Sequence, residues 1–249
     1  MPEPQLPSRS ASVSDLMDAA TRIFRSTLAK CLPVALFAIL FSALPNMYWL
    51  MTTGNPVDPF HPPLDPKFWT LSLVGFAFYQ LLAALLMLRQ RAMQSGRAPQ
   101  GQSEFAAALA RWPLLILSSV LAAVAVFAGA FALLLPGIYL LICVLLLRPV
   151  VLFETLSPLQ VVVRCIRLVR PLWWKVLAAA LIAALIFLVC AFAASLAFGI
   201  VKIGLSAAGV KPAAITAFAQ ACGLGIQAVA LVYFSALWLV IYSAASSSA

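Results

Sequence analysis

Charge and histidine are what this chain has least of. Only 9% of its 249 residues are Asp, Glu, Lys or Arg, against about a quarter in soluble domains. The single histidine, His61, stands in a proline-rich loop. A Ser-His intramembrane protease, a histidine-dependent phosphatase and an HExxH zinc site all need histidines the chain does not have. No Asp falls inside a long apolar run, which excludes a paired-aspartate intramembrane site, and there is no G-x-x-x-x-G-K-[ST] loop for a P-loop ATPase. The five cysteines contain no CxxC pair. Cys31, Cys143, Cys190 and Cys222 fall in or at the edge of apolar runs and Cys165 in a basic segment, so they read as small packing residues. Asp58, His61 and Asp65 sit among Pro56, Pro59, Pro62, Pro63 and Pro66 and read as a solvated loop. No metal, no cofactor and no enzymatic activity are expected.

Apolar residues are what the chain has in excess. They make up 64% of it, against roughly 45–50% in soluble domains, and mean hydropathy is +1.06. A soluble fold of 26.6 kDa cannot bury that much. The reading is an all-α, polytopic membrane protein. A spanning helix needs about 20 apolar residues. Runs at 31–51, 68–88, 113–134, 176–200 and 212–242 meet that length, and a shorter run at 138–153 makes six. Pro136-Gly137 is expected to form the tight turn between spans 3 and 4. Residues 1–12 and 244–249 read as disordered ends of a single transmembrane domain, 13–243.

Orientation follows from the cations. Arg9, Arg22, Arg25 and Lys30 precede span 1. Arg89, Arg91, Arg97 and Arg111 lie between spans 2 and 3, and Arg164, Arg167, Arg170 and Lys175 between spans 4 and 5. That is twelve on one side; Lys67, Lys202 and Lys211 make three on the other. Both termini are therefore expected to be cytoplasmic, in a bacterial inner membrane. Trp49 and Trp69 fall near the outer interface, and Trp112, Trp173, Trp174 and Trp238 near the inner one, an aromatic-belt arrangement. The net charge of +9 is then an orientation signal, and nucleic acid is not an expected partner. No cleavable signal peptide is visible, so span 1 is expected to stay as an anchor.

A repeat runs through the chain at an offset of 145 residues. Arg22, Arg25 and Lys30 align with Arg167, Arg170 and Lys175, and Ser12 with Ser157. A weaker third copy covers Ser103 to Arg111. Each copy precedes a span entering from the same side, which makes this a parallel repeat. Ser157 to Arg170 is amphipathic: Gln160, Arg164 and Arg167 share one stripe, while Val161, Val162, Cys165, Ile166 and Val169 share the other. Before span 1, Leu16, Met17, Ala20, Ile23 and Phe24 lie opposite Asp18, Arg22 and Arg25. Both segments are expected to lie flat on the membrane, cations toward an anionic leaflet. They would serve as a lipid or partner platform, or as generic interfacial linkers.

Arg148 is the most informative single residue. Ten residues below Ile138, it falls roughly 15 Å into the bilayer, where a charge costs at least ~2.5–3.5 kcal/mol. Three readings stand: an anion site in a cytoplasm-facing cavity, a counter-charge to Glu154 and backbone carbonyls, or a snorkelling side chain in a short span. Pairing with Glu154 requires a kink at Pro149. Gln80 and Gln227 reach similar depth and, with Glu154, are candidates for a polar bundle interior. Ala217, Ala221 and Gly225 on span 6, with Ser195 and Gly199 on span 5, have the small-residue spacing that suits bundle packing or a homo-oligomer.

The stretch Leu135-Pro136-Gly137-Ile138-Tyr139-Leu140, followed by Arg148, Glu154, Ser157-Pro158 and the basic helix through Trp173-Trp174, resembles a broad group of poorly characterised six-span bacterial membrane proteins. That group includes the membrane domain attached to some glycerophosphodiester phosphodiesterases. The likeness covers about a fifth of the chain, plus the six-span layout. It implies an accessory module of the inner membrane. The catalytic domain of those enzymes is missing here, so no hydrolase activity comes with the resemblance. The expected function is binding of anionic lipid or a partner protein through Arg148, Arg164, Arg167, Arg170 and Lys175. The alternative is a small transporter or lipid flippase in which Arg148 recognises an anionic cargo.

Overall fold

A computed structural model describes residues 11–55, 57–58, 61–97, 100–132, 134–207 and 212–246. Among these the ordered elements are all helical: α1 (Val13–Thr53), α2 (Pro66–Gln94), α3 (Gly101–Ala132), α4 (Leu134–Val144), α5 (Leu147–Phe153), α6 (Pro158–Val169), a 3-10 turn (Arg170–Leu172), α7 (Trp173–Ala207) and α8 (Pro212–Ser246). Five helical stretches are long and apolar enough to cross a membrane, and the bent pair α4–α5 raises the number to six if it counts as one span. This is the architecture of a multi-pass membrane protein.

Local chemistry sets the helix ends. Ser12 and Asp15 form a capping box at the start of α1: the Asp15 N–H donates to Ser12 Oγ (3.2 Å) and the Ser12 N–H to Asp15 Oδ2 (2.9 Å). Ser157 heads α6 in the same way, its N–H donating to the Gln160 side chain at 3.1 Å. The aligned serines of the repeat thus share one role. The third copy does not, because Ser103 lies inside α3 rather than at its cap. Gly54 ends α1 in the left-handed region (φ 71°), where its N–H reaches Leu50 O. Asp65 caps α2 by accepting from the Lys67 N–H, and also accepts from Tyr48 Oη at 2.9 Å, tying the end of α1 to the start of α2.

The expected flat helix before span 1 does not exist as a separate element. It continues without a break into the span, and Leu16, Ala19 and Ala20 are buried in the bundle. The second copy also runs on into its span, as one helical stretch Pro158–Gly204, with only a 3-10 turn at Arg170–Leu172, where Pro171 has no N–H to donate. Its apolar face is not free for the membrane either: Val161, Val162, Cys165, Leu168 and Val169 are buried in the protein's main core, with only Ile166 half-exposed. α8 runs to Ser246, past the expected boundary at 243, because Ala244 and Ala245 are buried. Residues 1–10 and 247–249, together with Lys211, lie outside the described residues.

Helices approach closely where side chains are small. Cys31, Ala35, Ala38 and Ile39 of α1 pack with Leu86 of α2 and Ala228, Leu231 and Val232 of α8. Pro45 cannot donate to Phe41 O, and Gly75 of α2 packs on that freed carbonyl; a Cβ at Gly75 would lie 2.5 Å from it. Pro136-Gly137 is not the turn after span 3. It lies inside α4, and Gly137 packs on the backbone of Ala130, a Cβ there falling 2.7 Å from Ala130 Cα.

The α4–α5 pair bends by 40° at Leu145–Leu146. Ala11, Leu16, Leu172, Lys175, Val176, Ile241 and Ala244 line one small pocket, which brings the starts of α1 and α7 and the end of α8 together. Tyr139 of α4 stacks on Trp173 (5.8 Å), and Phe153 of α5 meets Tyr242 (5.6 Å). The expected straight crossing from Ile138 to Phe153 is a helix pair bent by 40°, which runs antiparallel to α3, with Gly137 against Ala130 at one end and Glu154 against Arg111 at the other.

Candidate functional site

The cations of α2, α3, α6 and α7 make contacts across the bundle. The Arg89 guanidinium donates to Lys30 O (3.2 Å) and to Glu104 Oε2 (3.3 Å). Arg91 lies over the Phe153 ring at 3.8 Å. Lys175 Nζ donates to Ala11 O at 2.9 Å. Lys30 lies about 28 Å along α1 from Ala11, while Arg91, Arg111 and Arg164, from the second and third basic segments, meet around Phe153 and Glu154 in one basic region.

Glu154 is its hub. Just past α5, it accepts from Arg164 Nε at 3.0 and 3.3 Å and from Tyr242 Oη at 3.2 Å. Its own carbonyl accepts from Arg111 Nη1 at 2.9 Å, and Val151 O takes the same nitrogen at 3.5 Å. Arg111 therefore satisfies carbonyls at the C-terminus of α5, where the helix dipole favours a cation. One carboxylate and one helix end link α3, α5, α6 and α8. Tyr242 and Arg111 were not identifiable as partners beforehand, since they stand 88 and 43 residues from Glu154.

Arg148 does not pair with Glu154. The chain breaks at Leu145–Leu146, before Pro149, so the kink needed after Arg148 is absent and the two side chains stay on different sides of α5. Arg148 Nε instead donates to Gln80 Oε1 at 3.1 Å, and Gln80 Nε2 donates to Ser119 Oγ at 3.0 Å. The guanidinium also lies 5.0 Å from the Tyr79 ring centre, within cation–π range. Gln80 is 5% exposed, so this Arg–Gln–Ser chain is interior. Gln227 does not join it. That side chain is exposed on α8, in a groove against α1.

The basic stripe of α6 faces outward. Arg167 and Arg170 are exposed and Arg164 half-buried. Leu159 and Val163, on the same side, are 67% and 41% exposed. With Leu156 and Gln160, Arg164, Arg167, Leu159 and Val163 line a shallow groove of about 390 Å³. Exposed leucine and valine beside arginines make a surface that is apolar and cationic at once.

In the loop between α1 and α2, His61 Nδ1 is 2.9 Å from Asp58 Oδ2 and both are exposed, while Asp65 is occupied in capping α2. No group of three metal-ligating side chains occurs among the described residues. Of the expected belt tryptophans, Trp174 is 76% exposed, but Trp238 is buried and Trp112 donates to Ala77 O at 2.7 Å within the bundle. Comparison with protein-family models, curated proteins and solved structures finds no match to this chain.

Proposed function

We propose that the chain is a non-catalytic integral module of a bacterial cytoplasmic membrane that holds an anionic lipid at its basic end, with both termini on the cytoplasmic side. One observation carries the reading: α6 buries its apolar face in the bundle and still presents Leu159 and Val163 beside Arg164 and Arg167. A solvated linker has no use for exposed aliphatic side chains between arginines. A lipid uses both, the acyl chain lying along Leu159 and Val163 and the phosphate meeting the guanidinium groups. Each cation near an anionic surface contributes about 1 kcal/mol. The Arg148 chain has a different role in this reading. Gln80 and Tyr79 already engage its guanidinium, so it locks α5 to α2 and α3 rather than recognising cargo.

The test is native mass spectrometry from nanodiscs of phosphatidylcholine and phosphatidylglycerol. Wild type should retain phosphatidylglycerol selectively. Arg167→Ala and Leu159→Ala should each lower that retention, while Arg22→Ala, on α1, should not. Equal retention in all four proteins would overturn the proposal. Loss of a co-purifying protein in Arg167→Ala, with lipid retention unchanged, would instead make α6 a protein-docking face.

A further inference from the structure

The end of the bundle away from the cations contains a second concave surface, and it has the opposite chemistry. α1 and α8 pack tightly where Ala35, Ala38 and Ile39 meet Ala228, Leu231 and Val232. Beyond that contact they diverge. The cleft between them is lined by Ala43, Asn46, Met47 and Leu50 of α1, by Gln220, Ala221, Gly223, Leu224 and Gln227 of α8, and by Val57 of the following loop. Its volume is about 600 Å³, within the range of small-molecule sites.

Three carboxamides stand in this cleft, Asn46 on one wall and Gln220 and Gln227 on the other. Among the described residues, no ionisable side chain lines it. The depth of the amides follows from helix rise. Lys30 O, Arg89, Gln90 and Val232 O mark one level, through the hydrogen bonds Arg89–Lys30 and Gln90–Val232. At 1.5 Å per residue, Gln227 lies about 8 Å beyond that level, Gln220 about 18 Å and Asn46 about 24 Å. All three fall within a hydrocarbon core about 30 Å thick. Carboxamides at such depth are costly unless hydrogen-bonded.

We infer that the cleft is a binding site for a neutral lipid bearing a free hydroxyl, of the diacylglycerol type, with its hydroxyl and ester groups on Asn46, Gln220 and Gln227. The lining carries the choice of occupant. A carboxamide both donates and accepts, as a hydroxyl does, and the uncharged lining offers nothing to a phosphate or an ammonium group. Met47, Leu50 and Leu224 provide a wall for an acyl chain. The amides come from two walls and face a concave space, which suits a slender guest better than the convex helix of a second copy. The inference is independent of the α6 reading, since the two sites share no residue.

The experiment is photo-crosslinking in nanodiscs with a photoreactive diacylglycerol, followed by peptide mapping, with photoreactive phosphatidylglycerol as the comparison. Diacylglycerol adducts should concentrate on residues 43–57 and 220–227, and phosphatidylglycerol adducts should not. Gln220→Leu/Gln227→Leu should lower the diacylglycerol adducts about tenfold, the scale of one lost hydrogen bond. Its thermal stability should equal or exceed that of wild type, which separates loss of the site from loss of the fold. Adducts spread evenly over the exposed helix faces, or unchanged in the double variant, would overturn the inference. So would a copy-to-copy crosslink through position 220 in lipid of phosphatidylcholine alone, which would make a second chain the occupant.

Discussion

Replacing Gln80 should harm the protein more than replacing the charged residue it holds. The Arg148–Gln80 bond is charge-assisted at 3.1 Å, and Gln80 is 5% exposed. Gln80→Leu leaves a guanidinium without its acceptor and also breaks the bond to Ser119. A hydrogen bond to a charged group contributes about 1.5–3 kcal/mol and a neutral one about 1, so the expected cost is about 2–4 kcal/mol. Arg148→Met leaves Gln80 Oε1 unpartnered, at about 1–3 kcal/mol, but removes a charge whose insertion costs ~2.5–3.5 kcal/mol. Its net effect should be near zero. The double variant should also lie near wild type, giving a coupling of about 2 kcal/mol. Cys31, Cys143 and Cys165 are buried, whereas Cys190 and Cys222 are exposed. Thiol labelling in a Cys190→Ser/Cys222→Ser background, with unfolding in mixed micelles, therefore reports exposure of the core. Effects that add within about 0.5 kcal/mol, or an Arg148→Met loss larger than that of Gln80→Leu, would show that the pair is not coupled as described.

Four further outcomes are expected. Gly137→Ala and Gly75→Ala place a Cβ 2.7 Å from Ala130 Cα and 2.5 Å from Phe41 O, so each should cost about 1–3 kcal/mol in the same assay. Gly225→Ala meets nothing within 4 Å and should be neutral or stabilising by up to about 1 kcal/mol. Glu154→Ala frees Arg164 and Tyr242 together, and Arg164→Met in the same chain should recover part of the loss; a double variant worse than Glu154→Ala would count against the hub. Arg111→Ala uncovers carbonyls at the end of α5 and should raise hydrogen exchange in residues 150–157 before the rest of the chain; uniform exchange would argue against the cap.

Much of this protein can be read without coordinates. Helix positions follow from apolar runs of span length, because no other backbone form except a closed barrel survives in hydrocarbon. Ser157 is legible as a cap because capping is a contact over three residues, whereas before span 1 the sequence suggests Ser14 and the structure uses Ser12; the basic clusters are legible because charge is sparse. Arg148 is conspicuous for the same reason. What a linear reading cannot supply is the partner of each polar group. Glu154 is the nearest acid to Arg148 in sequence, yet the two lie on different sides of α5, and Gln80 and Tyr242 arrive from helices far along the chain. Pro136-Gly137 resembles a turn, but inside α4 the glycine admits the backbone of α3. Both copies of the amphipathic motif run on into their spans, the second through a 3-10 turn at Pro171. Gln80 and Gln227 look equivalent by depth; packing places the first against Arg148 and leaves the second in an open cleft. Local hydrogen bonding and hydropathy act over a few residues or one helix, so sequence alone determined the helices and their caps. Which side chains meet depends on how the helices pack, and that only the tertiary structure decided.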